Sequence, residues 1–376
     1  MITSLTVSNY RSLGDNVRIE FGQFTALVGP NGSGKSNVMD ALRFVADAMQ
    51  MGLSGAITSR HGIAAVRRWS GGHPFNVAIR LDIQLAEGPA HYKFELTGSS
   101  AEEYEVKEEE ADVIRGADRV RFRIERGEWK EGPPGLRPPL DNKSLALQLV
   151  GGDARFKDLV RGLQNIAVYA IFPDTLRTPQ KYSPHKPMSR HGDNWSSILK
   201  DQPESTWKPD LVAALQKLTG DTEDLRVAHA AGYLVVEFRH RSPNKKLKWF
   251  AGTQESDGTL RVAGIITALL QEPPVPVIGI EEPELTVHPA AIPLLHDYLA
   301  QAARRSQVIV TTHSPELLDL VQPEDVRVVM RNEEGVTNVA PLAENQRDVV
   351  KQGLMKLGEV MRMPGLAQQL ALPAAE

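Results

Sequence analysis

The hydrophobic pattern at the start of the chain predicts short strands followed by a helix. Leu5 and Val7 alternate with polar positions, and residues 24–28 form an apolar run typical of a buried strand. A glycine-rich segment follows that run. Apolar side chains then recur at helical spacing, at Val38, Ala41, Leu42, Val45 and Met49. This order of strand, loop and helix predicts the beginning of an α/β domain.

The pattern changes between residues 75 and 130. Apolar positions alternate strictly with polar ones in three runs, at 77–85, 92–96 and 120–124, and turn residues separate the runs. Alternation with period two places the apolar side chains on one face of a sheet. We therefore expect an antiparallel meander with one solvated face.

Helical and strand patterns alternate again in the rest of the chain, which predicts an α/β arrangement there as well. The expected helices are 143–163, 194–200, 208–218, 259–270, 290–303 and a terminal helix at 343–361. The expected strands are 166–172, 233–239, 246–250, 275–281, 307–311, 326–330 and 336–340, and residues 173–192 are expected to form a surface loop.

Composition places the chain among ordinary globular proteins. Its 376 residues are 41% hydrophobic and 24% charged, and suffice for one large or two ordinary domains. The net charge of −4 gives no overall basic field for nucleic acid. The chain has no cysteine, which excludes disulfides, thiolate metal ligands and cysteine nucleophiles. No signal peptide or membrane-spanning run is visible, so a cytoplasmic protein without a membrane partner is expected.

Residues 29–36 match the phosphate-binding pattern G-x-x-x-x-G-K-[ST] in full. Glycines let backbone N–H groups approach phosphate oxygens, and the following helix start adds positive potential. Lys35 is expected to reach the β- and γ-phosphates, and the Ser36 hydroxyl to ligate Mg²⁺. The alternative is a glycine-rich turn before a helix, which the preceding strand pattern disfavours. The expected nucleotide contacts are Asn31, Gly32, Ser33, Gly34, Lys35, Ser36 and Asn37.

Two adjacent carboxylates end the apolar run at 277–280. Glu281 and Glu282 would lie at the carboxyl edge of a buried strand, where open α/β sheets bind ligands. In a Walker B arrangement the first acid, Glu281, holds the Mg²⁺ hydration shell, and the second, Glu282, polarises the attacking water. Two solvated acids at a strand end would be the alternative interpretation.

Two further motifs suit an anion. His313 follows the strand expected at 307–311, where it could touch a γ-phosphate and sense its loss. Ser256 would cap a helix start whose N–H groups are free to bind an anion. A structural histidine and a simple capped helix are the corresponding alternatives.

The order of these motifs resembles the ABC-type ATPases of the SMC/RecF and overcoming-lysogenization-defect group, in particular their compact bacterial members. It consists of the phosphate loop, S-D-G-T at 256–259, E-E-P-E-L-x-x-H-P at 281–289 and T-T-H-S-P at 311–315. The resemblance implies an ABC-ATPase head over about residues 1–342, with a P-loop core of mixed or parallel sheet. It divides the head into lobe I (about 1–170, with the meander) and lobe II (about 171–342), followed by a helical tail at 343–376.

The resemblance also implies cofactors and roles. ATP and Mg²⁺ would be bound, with Lys35, Glu282 and His313 as the catalytic residues. Ser256 and Gly258 of one subunit would complete the nucleotide site of a second copy, giving a homodimer with ATP sandwiched between heads. Two more nucleotide contacts follow from it: Arg11, in the N-Y-R-S turn at 9–12, and Gln180, the candidate for the glutamine of the lobe-linking loop.

The sequence departs from this group at three points. Glu255 precedes Ser256, where an apolar residue is usual. No long coiled-coil insertion is visible, and too few residues follow position 340 for the Toprim nuclease domain of the overcoming-lysogenization-defect proteins.

The acidic run at 108–112 lies in the meander, where alternation is expected to point its members to opposite faces and prevent a metal site.

Three functions remain open. The leading hypothesis is an ATP-driven dimeric switch, alone or in a higher assembly, that regulates a separate effector such as a Toprim-type or other nuclease in anti-phage defence or DNA maintenance. The apolar face of the terminal helix is one candidate docking surface for that effector. A RecF-like repair ATPase that binds DNA through basic residues is the alternative. A transporter ATPase subunit is disfavoured by the S-D-G-T signature. The basic residues that could bind DNA in the RecF-like alternative are Arg177, Lys181, Lys186 and Arg190 in one stretch and Arg239, Arg241, Lys245, Lys246 and Lys248 in another.

Overall fold

The computed structural model describes residues 1–70, 73–363 and 365–369, and the chain divides into two compact units. The first consists of Met1–Ile166, Gln322–Lys356 and the segment from Met363 onward. The second consists of Ala167–Val321 with Leu357–Arg362.

Among the described residues, no helix combines the length and the apolar character needed to cross a bilayer.

The first unit contains a seven-stranded antiparallel sheet of order β2-β1-β4-β5-β6-β7-β8. Its strands are β1 (Ile2–Ser8), β2 (Val17–Glu20), β4 (Val77–Gln84), β5 (Pro89–Thr97), β6 (Glu105–Arg115), β7 (Asp118–Glu125) and β8 (Glu128–Glu131). Buried positions alternate along β4 and β5, as the sequence pattern required. The meander predicted at 75–130 is therefore confirmed, and β1 and β2 extend it on one side.

The phosphate loop of the first unit lies between strand β3 (Phe24–Val28) and helix α1 (Lys35–Thr58). Strand β15 (Val326–Arg331) pairs with β3 in parallel, and β16 (Thr337–Pro341) pairs with β15 in antiparallel fashion. This pairing assigns residues 322–342 to the unit that holds the phosphate loop, whereas the sequence placed them in lobe II. The other helices of the unit are α2 (Ile63–Val66), α3 (Ala146–Val150), α4 (Lys157–Gln164) and α11 (Glu344–Lys351).

The second unit is built around strands β9 (Ile166–Tyr169), β13 (Val277–Glu281) and β14 (Gln307–Thr312), in the order β14-β13-β9. Strands β13 and β14 are parallel, and their register places Glu281 opposite Thr311. Because both strands end at the same edge, their last residues present side chains to one region. The helices are α5 (Pro173–Arg177), α6 (Trp195–Asp201), α7 (Glu204–Thr219), α8 (Asp257–Leu270), α9 (Ile292–Ala302), α10 (Pro315–Leu318) and α12 (Leu357–Arg362).

A second antiparallel sheet belongs to this unit, with the order β10-β11-β12. Its strands are β10 (Thr222–Ala230), β11 (Tyr233–Arg241) and β12 (Leu247–Ala251). Strand β10 was not predicted, because its residues 226–230 carry little apolar alternation. Leu225, Leu234, Val236 and Phe238 form the buried face of this sheet.

Two expected helices are each divided in the structure. The helix expected at 143–163 becomes α3 and α4, since Gly151 and Gly152 lie in a turn between them. The terminal helix expected at 343–361 becomes α11 and α12, with Gly353 (φ 69°) in the connecting turn. Helix α11 has no buried residue, while Leu357 and Val360 of α12 are buried and α12 packs on α10. Residues 370–376 of the expected tail lie outside the described residues.

Candidate functional site

The phosphate loop is a narrow backbone turn in which two glycines are sterically required. A Cβ atom on Gly29 would overlap the carbonyl oxygen of Val329, and one on Gly34 would overlap the Thr337 side chain. Gly34 also has φ +109°, a conformation that other residues rarely adopt. Strands β15 and β16 therefore press directly on the loop and set its shape.

Side-chain hydrogen bonds fix the loop from both sides. The Thr337 hydroxyl donates to the Ser33 carbonyl oxygen at 2.7 Å and lies 2.7 Å from the Ser12 hydroxyl. The Asn37 amide donates to the same Ser12 hydroxyl at 2.6 Å. Ser12 of the N-Y-R-S turn thus supports the phosphate loop, and Asn37, expected to contact nucleotide, supports it as well. Thr337 was missed in the sequence, because nothing local to it signals this contact.

The charged and polar groups of the loop fit a phosphate. The Lys35 ammonium donates to the carbonyl oxygens of Gly29 (2.8 Å) and Pro30 (3.0 Å) and is buried. Asn31, Gly32 and Ser36 are exposed. The Ser33 hydroxyl is buried and finds no hydrogen-bond partner among the described residues. A buried cation and an unsatisfied hydroxyl at a helix start are what an anion with several acceptor oxygens would satisfy.

Arg11 lies in a buried ion-pair network of the first unit rather than on the phosphate loop. Its guanidinium is 3.0 Å from Asp40, and Arg60 and Arg43 bind the same carboxylate at 3.0 and 2.6 Å. The Tyr10 hydroxyl also donates to Asp40 at 2.7 Å. Burial alone would raise the pKa of Asp40, but Arg60 above all holds it well below its usual range. This network was not foreseen, and it leaves the Arg11 side chain one-third exposed.

The paired acids of the second unit differ in their surroundings. Glu281 Oε1 accepts a hydrogen bond from Arg190 at 2.6 Å. Glu282 has φ 45°, and its N–H donates to the Thr311 carbonyl at 3.0 Å. A non-glycine residue at positive φ is strained, and such strain occurs often at functional sites. Glu282 Oε1 lies 3.3 Å from His313 Nδ1, without hydrogen-bond geometry. The structure therefore brings Glu282 and His313 together.

Glu284 holds the segment that carries His313. It is buried, and its Oε1 accepts hydrogen bonds from the Thr312 hydroxyl (2.6 Å) and the His313 N–H (3.2 Å). Its role here is to position His313, and Glu282 is the more exposed acid.

The S-D-G-T signature begins helix α8 and is tied to the acids. Ser256 caps the helix by accepting from the Thr259 N–H at 3.1 Å. A Cβ on Gly258 would lie 2.9 Å from the Thr286 carbonyl oxygen, so glycine is needed for this close approach. Buried Arg261 donates to the carbonyl oxygens of Glu282 (2.8 Å) and Ile171. Arg261 was missed, although its position two residues after the signature could have identified it.

The unusual acid before the signature has a local partner. Glu255 Oε1 lies 2.8 Å from Nε2 of His240, whose Nδ1 is 3.0 Å from Asp221. Burial alone would lower the pKa of His240, but these two carboxylates outweigh it and raise the pKa. Glu255 therefore ties the signature to strand β11, and its carboxylate is paired with His240 rather than unpaired beside the signature.

Gln180 does not have the role that the resemblance suggested. It is buried, and its amide group donates to the Thr175 and Gly192 carbonyls and accepts from the N–H and hydroxyl of Ser196. Both ends of the amide are used inside the second unit. As observed, Gln180 therefore has no free amide group to offer a nucleotide.

The acidic run of the meander has members on both faces of the sheet, as alternation predicts, and those opposite Glu109 are ion-paired. Glu108, Glu110 and Asp112 lie on the face of the sheet opposite to Glu109, and Asp112 is itself buried. Each outward acid is ion-paired, Glu108 with Lys93 (2.7 Å), Glu110 with Arg121 (3.1 Å) and Asp112 with Arg119. Burial raises the pKa of Glu109 to about 7.

No group of three or more acidic or histidine side chains suited to a metal occurs in the described part of the chain. Mg²⁺ is usually held by one or two carboxylates, waters and phosphate oxygens rather than by a protein cage. The hydroxyl of Ser36 and the carboxylate of Glu281 are oxygen donors of the kind that it prefers. These residues fit the metal that the phosphate loop implies.

A family model described as "AAA domain, putative AbiEii toxin, Type IV TA system" matches residues 24–319, well over half of the chain. The chain belongs to this family. The OLD nuclease of Thermus scotoductus is 24% identical over 93% of the chain and 66% of its own length. The chromosome partition protein Smc of Desulfitobacterium hafniense is 51% identical over 45 residues, 12% of this chain and 4% of that protein. The chain thus spans less than two thirds of these curated relatives.

The fold of this AAA family member is similar to that of solved SMC heads. An SmcHead bound to the C-winged helix domain of ScpA covers 92% of this chain and 99% of its own, at 16% identity and a TM-score of 0.59. An Smc head with an extended coiled coil from Pyrococcus furiosus, bound to the C-terminal domain of ScpA, covers 94% and 99%, at 14% identity and a TM-score of 0.57. The ABC-ATPase head fold and the relationship to the SMC and OLD group are confirmed.

Proposed function

We propose that this protein binds ATP with Mg²⁺ and hydrolyses it, and that ATP binding joins two copies into a dimer that controls a separate effector. The observation that carries the ATPase proposal is the phosphate loop itself. Its glycines are sterically required, Lys35 is buried on the loop carbonyls, and the Ser33 hydroxyl is unsatisfied. Phosphate oxygens bound at the loop would satisfy these groups and offset the free-energy cost of burying them.

The proposed division of labour follows from the surroundings of each residue. Lys35 neutralises phosphate charge, and Ser36 with Glu281 holds the metal and its waters. Glu282, the more exposed acid at the end of β13, accepts the proton of the attacking water. His313 contacts Glu282, and buried Glu284 keeps His313 in place. Bound ATP–Mg²⁺ supplies the phosphoanhydride and the charge that these groups neutralise.

The dimer and the effector rest on relatedness, which is an associational argument. Ser256 is exposed at the start of α8, a position from which it could serve a nucleotide on a second copy. The similarity to an OLD nuclease and the family description that names a toxin–antitoxin system favour a role in defence or DNA maintenance. We place the nuclease activity in a separate protein. Helix α11, without a buried residue, is the proposed docking surface for it.

Phosphate release from ATP by the purified protein, with Mg²⁺ or with EDTA, tests the proposed function. Release that needs Mg²⁺ and is lost in the Lys35→Ala variant supports it. Equal release from the variant would assign the activity to a contaminant.

We expect the protein alone to cut neither plasmid nor single-stranded DNA. The described residues contain no acidic cluster suited to a metal, and the outward acids of the meander are already ion-paired. The measurement is incubation of both substrates with ATP and Mg²⁺ or Mn²⁺. Cleavage that co-elutes with the protein and persists in Glu282→Gln would reveal a second active site.

A second candidate function is nucleic-acid binding, and a surface of the second unit favours it. On the exposed face of the β10–β12 sheet, Arg226 and Arg239 lie 4.1 and 5.3 Å from the ring centre of Trp249. Next to this face, three exposed lysines have no ion-pair partner within the described ranges: Lys245, Lys246 and Lys248. Stacked aromatic and guanidinium groups beside free lysines suit the bases and phosphates of a single strand.

The other basic stretch offers less to a nucleic acid. Arg177 pairs with Asp257, Lys186 lies 3.7 Å from Asp201, and Arg190 is bound to Glu281. Arg226 and Arg239 are ion-paired too, with Glu237 and Asp224, so DNA binding would depend on the three unpaired lysines beside the β10–β12 face. We expect reversal of Lys245, Lys246 and Lys248 to glutamate to abolish salt-sensitive binding of a labelled oligonucleotide. Binding that is unchanged by this triple reversal would exclude the surface.

A further inference from the structure

Arg190 lies on a segment of the second unit that is held at both ends by internal hydrogen bonds. The Asn194 side chain accepts from the Ser189 N–H at 2.7 Å and donates to the His185 carbonyl at 2.9 Å. The carbonyl of Arg190 itself accepts from the Ala170 N–H at 2.9 Å, just beyond strand β9. The backbone of Arg190 is thus fixed beside the strand that neighbours β13.

The side chain of Arg190 is directed at the proposed metal-binding acid. Its Nη2 donates to Glu281 Oε1 at 2.6 Å, and the pair is separated by 91 positions in the sequence. Glu281 is 15% exposed and Arg190 31% exposed, so solvent screens the pair only in part. The Nε of Arg190 is buried without a hydrogen-bond partner among the described residues. The contact therefore leaves one buried donor of Arg190 unsatisfied.

We propose that Arg190 is a positioning residue that occupies Glu281 in the metal-free protein and is displaced when Mg²⁺ binds, so that it sets the metal affinity of the nucleotide site. The proposal rests on the role of Glu281 in the proposed function. A guanidinium and a hydrated divalent cation compete for one carboxylate, because two cations within a few ångströms repel each other. Mg²⁺ bound at Glu281 is therefore expected to weaken the Arg190–Glu281 hydrogen bond and displace the guanidinium.

The competition has a definite sign. If Arg190 competes with the metal, its removal strengthens metal binding, whereas a residue that merely shapes Glu281 would weaken metal binding on removal. A charge-assisted hydrogen bond that is partly exposed corresponds to about a fivefold change in an equilibrium constant.

The test measures Mn²⁺ binding by electron paramagnetic resonance, in the presence of a non-hydrolysable ATP analogue. We compare the parental protein with Arg190→Ala, Arg190→Gln and Arg190→Lys. Lys181→Ala is the matched control, because Lys181 is exposed in the same segment and has no ion pair among the described residues. Arg190→Gln keeps the side-chain bulk in case the alanine variant folds poorly, and thermal unfolding checks each protein.

We expect half-saturation at about fivefold less Mn²⁺ in Arg190→Ala and Arg190→Gln, a smaller change in Arg190→Lys and none in the control. Unchanged or weaker Mn²⁺ binding in folded Arg190 variants would overturn the proposal. Failure of the parental protein to bind Mn²⁺ with the nucleotide would contradict the proposed function instead, so the two failures are distinguishable.

Discussion

Glu282→Gln should lower the rate of ATP hydrolysis by about 10²- to 10⁴-fold while ATP binding stays close to parental. The amide cannot accept the proton of the attacking water, but it preserves the size of the side chain at a strained backbone position. Glu282 does not lie on the phosphate loop, so its substitution removes no phosphate contact of that loop. Steady-state phosphate release and titration with a fluorescent ATP analogue measure the two quantities.

Glu333→Gln is the control for this substitution, since Glu333 is an exposed acid of the first unit. Hydrolysis by Glu282→Gln at the parental rate would show that Glu282 is not the base. Glu284 would then be the next acid to test, although its carboxylate is buried and bound to Thr312 and His313. A variant with weak binding as well as slow turnover would instead point to a disturbed fold.

Lys35→Ala should weaken ATP binding by about 30- to 5,000-fold, which corresponds to about 2–5 kcal/mol for the loss of one partner from a buried charge pair. The Lys35 ammonium is buried on the carbonyl oxygens of Gly29 and Pro30. Without it, the phosphate charge would be brought to the loop with no compensating cation. Equilibrium binding of the fluorescent analogue, with and without Mg²⁺, is the measurement.

Lys217→Ala is the matched control, because Lys217 is exposed near the end of α7. Thermal unfolding of Lys35→Ala separates lost binding from a collapsed loop, since Lys35 also supports its own loop. A folded Lys35→Ala protein that binds ATP as tightly as the parental one would refute the assignment of the phosphate loop.

The features that the sequence could predict are those with a local pattern. Strict alternation predicted the meander because each residue there faces either core or solvent. The phosphate loop and the capped helix at Ser256 could be located because their chemistry lies within a few consecutive residues.

The contacts that complete the candidate site are not local. Thr337 reaches the phosphate loop from 304 positions away, and Arg190 reaches Glu281 across 91. Nothing in the neighbouring residues signals either contact. Gln180 is the opposite case, because its residue type and its place in the chain predicted a nucleotide contact. In the structure, both ends of its amide are hydrogen-bonded inside the second unit. The same limit explains why the sequence assigned residues 322–342 to lobe II. Their unit depends on the pairing of β15 with β3, which is far away in the sequence.

The most direct test of the nucleotide-driven switch is sedimentation velocity of the Glu282→Gln protein with and without ATP and Mg²⁺. This variant should retain bound ATP, so a dimer joined through the nucleotide would persist long enough to be seen. We predict a monomer without nucleotide and a dimer with ATP and Mg²⁺, and no dimer when Lys35→Ala is added to the same chain. A Glu282→Gln protein that binds ATP and still sediments as an unchanged monomer would contradict the switch.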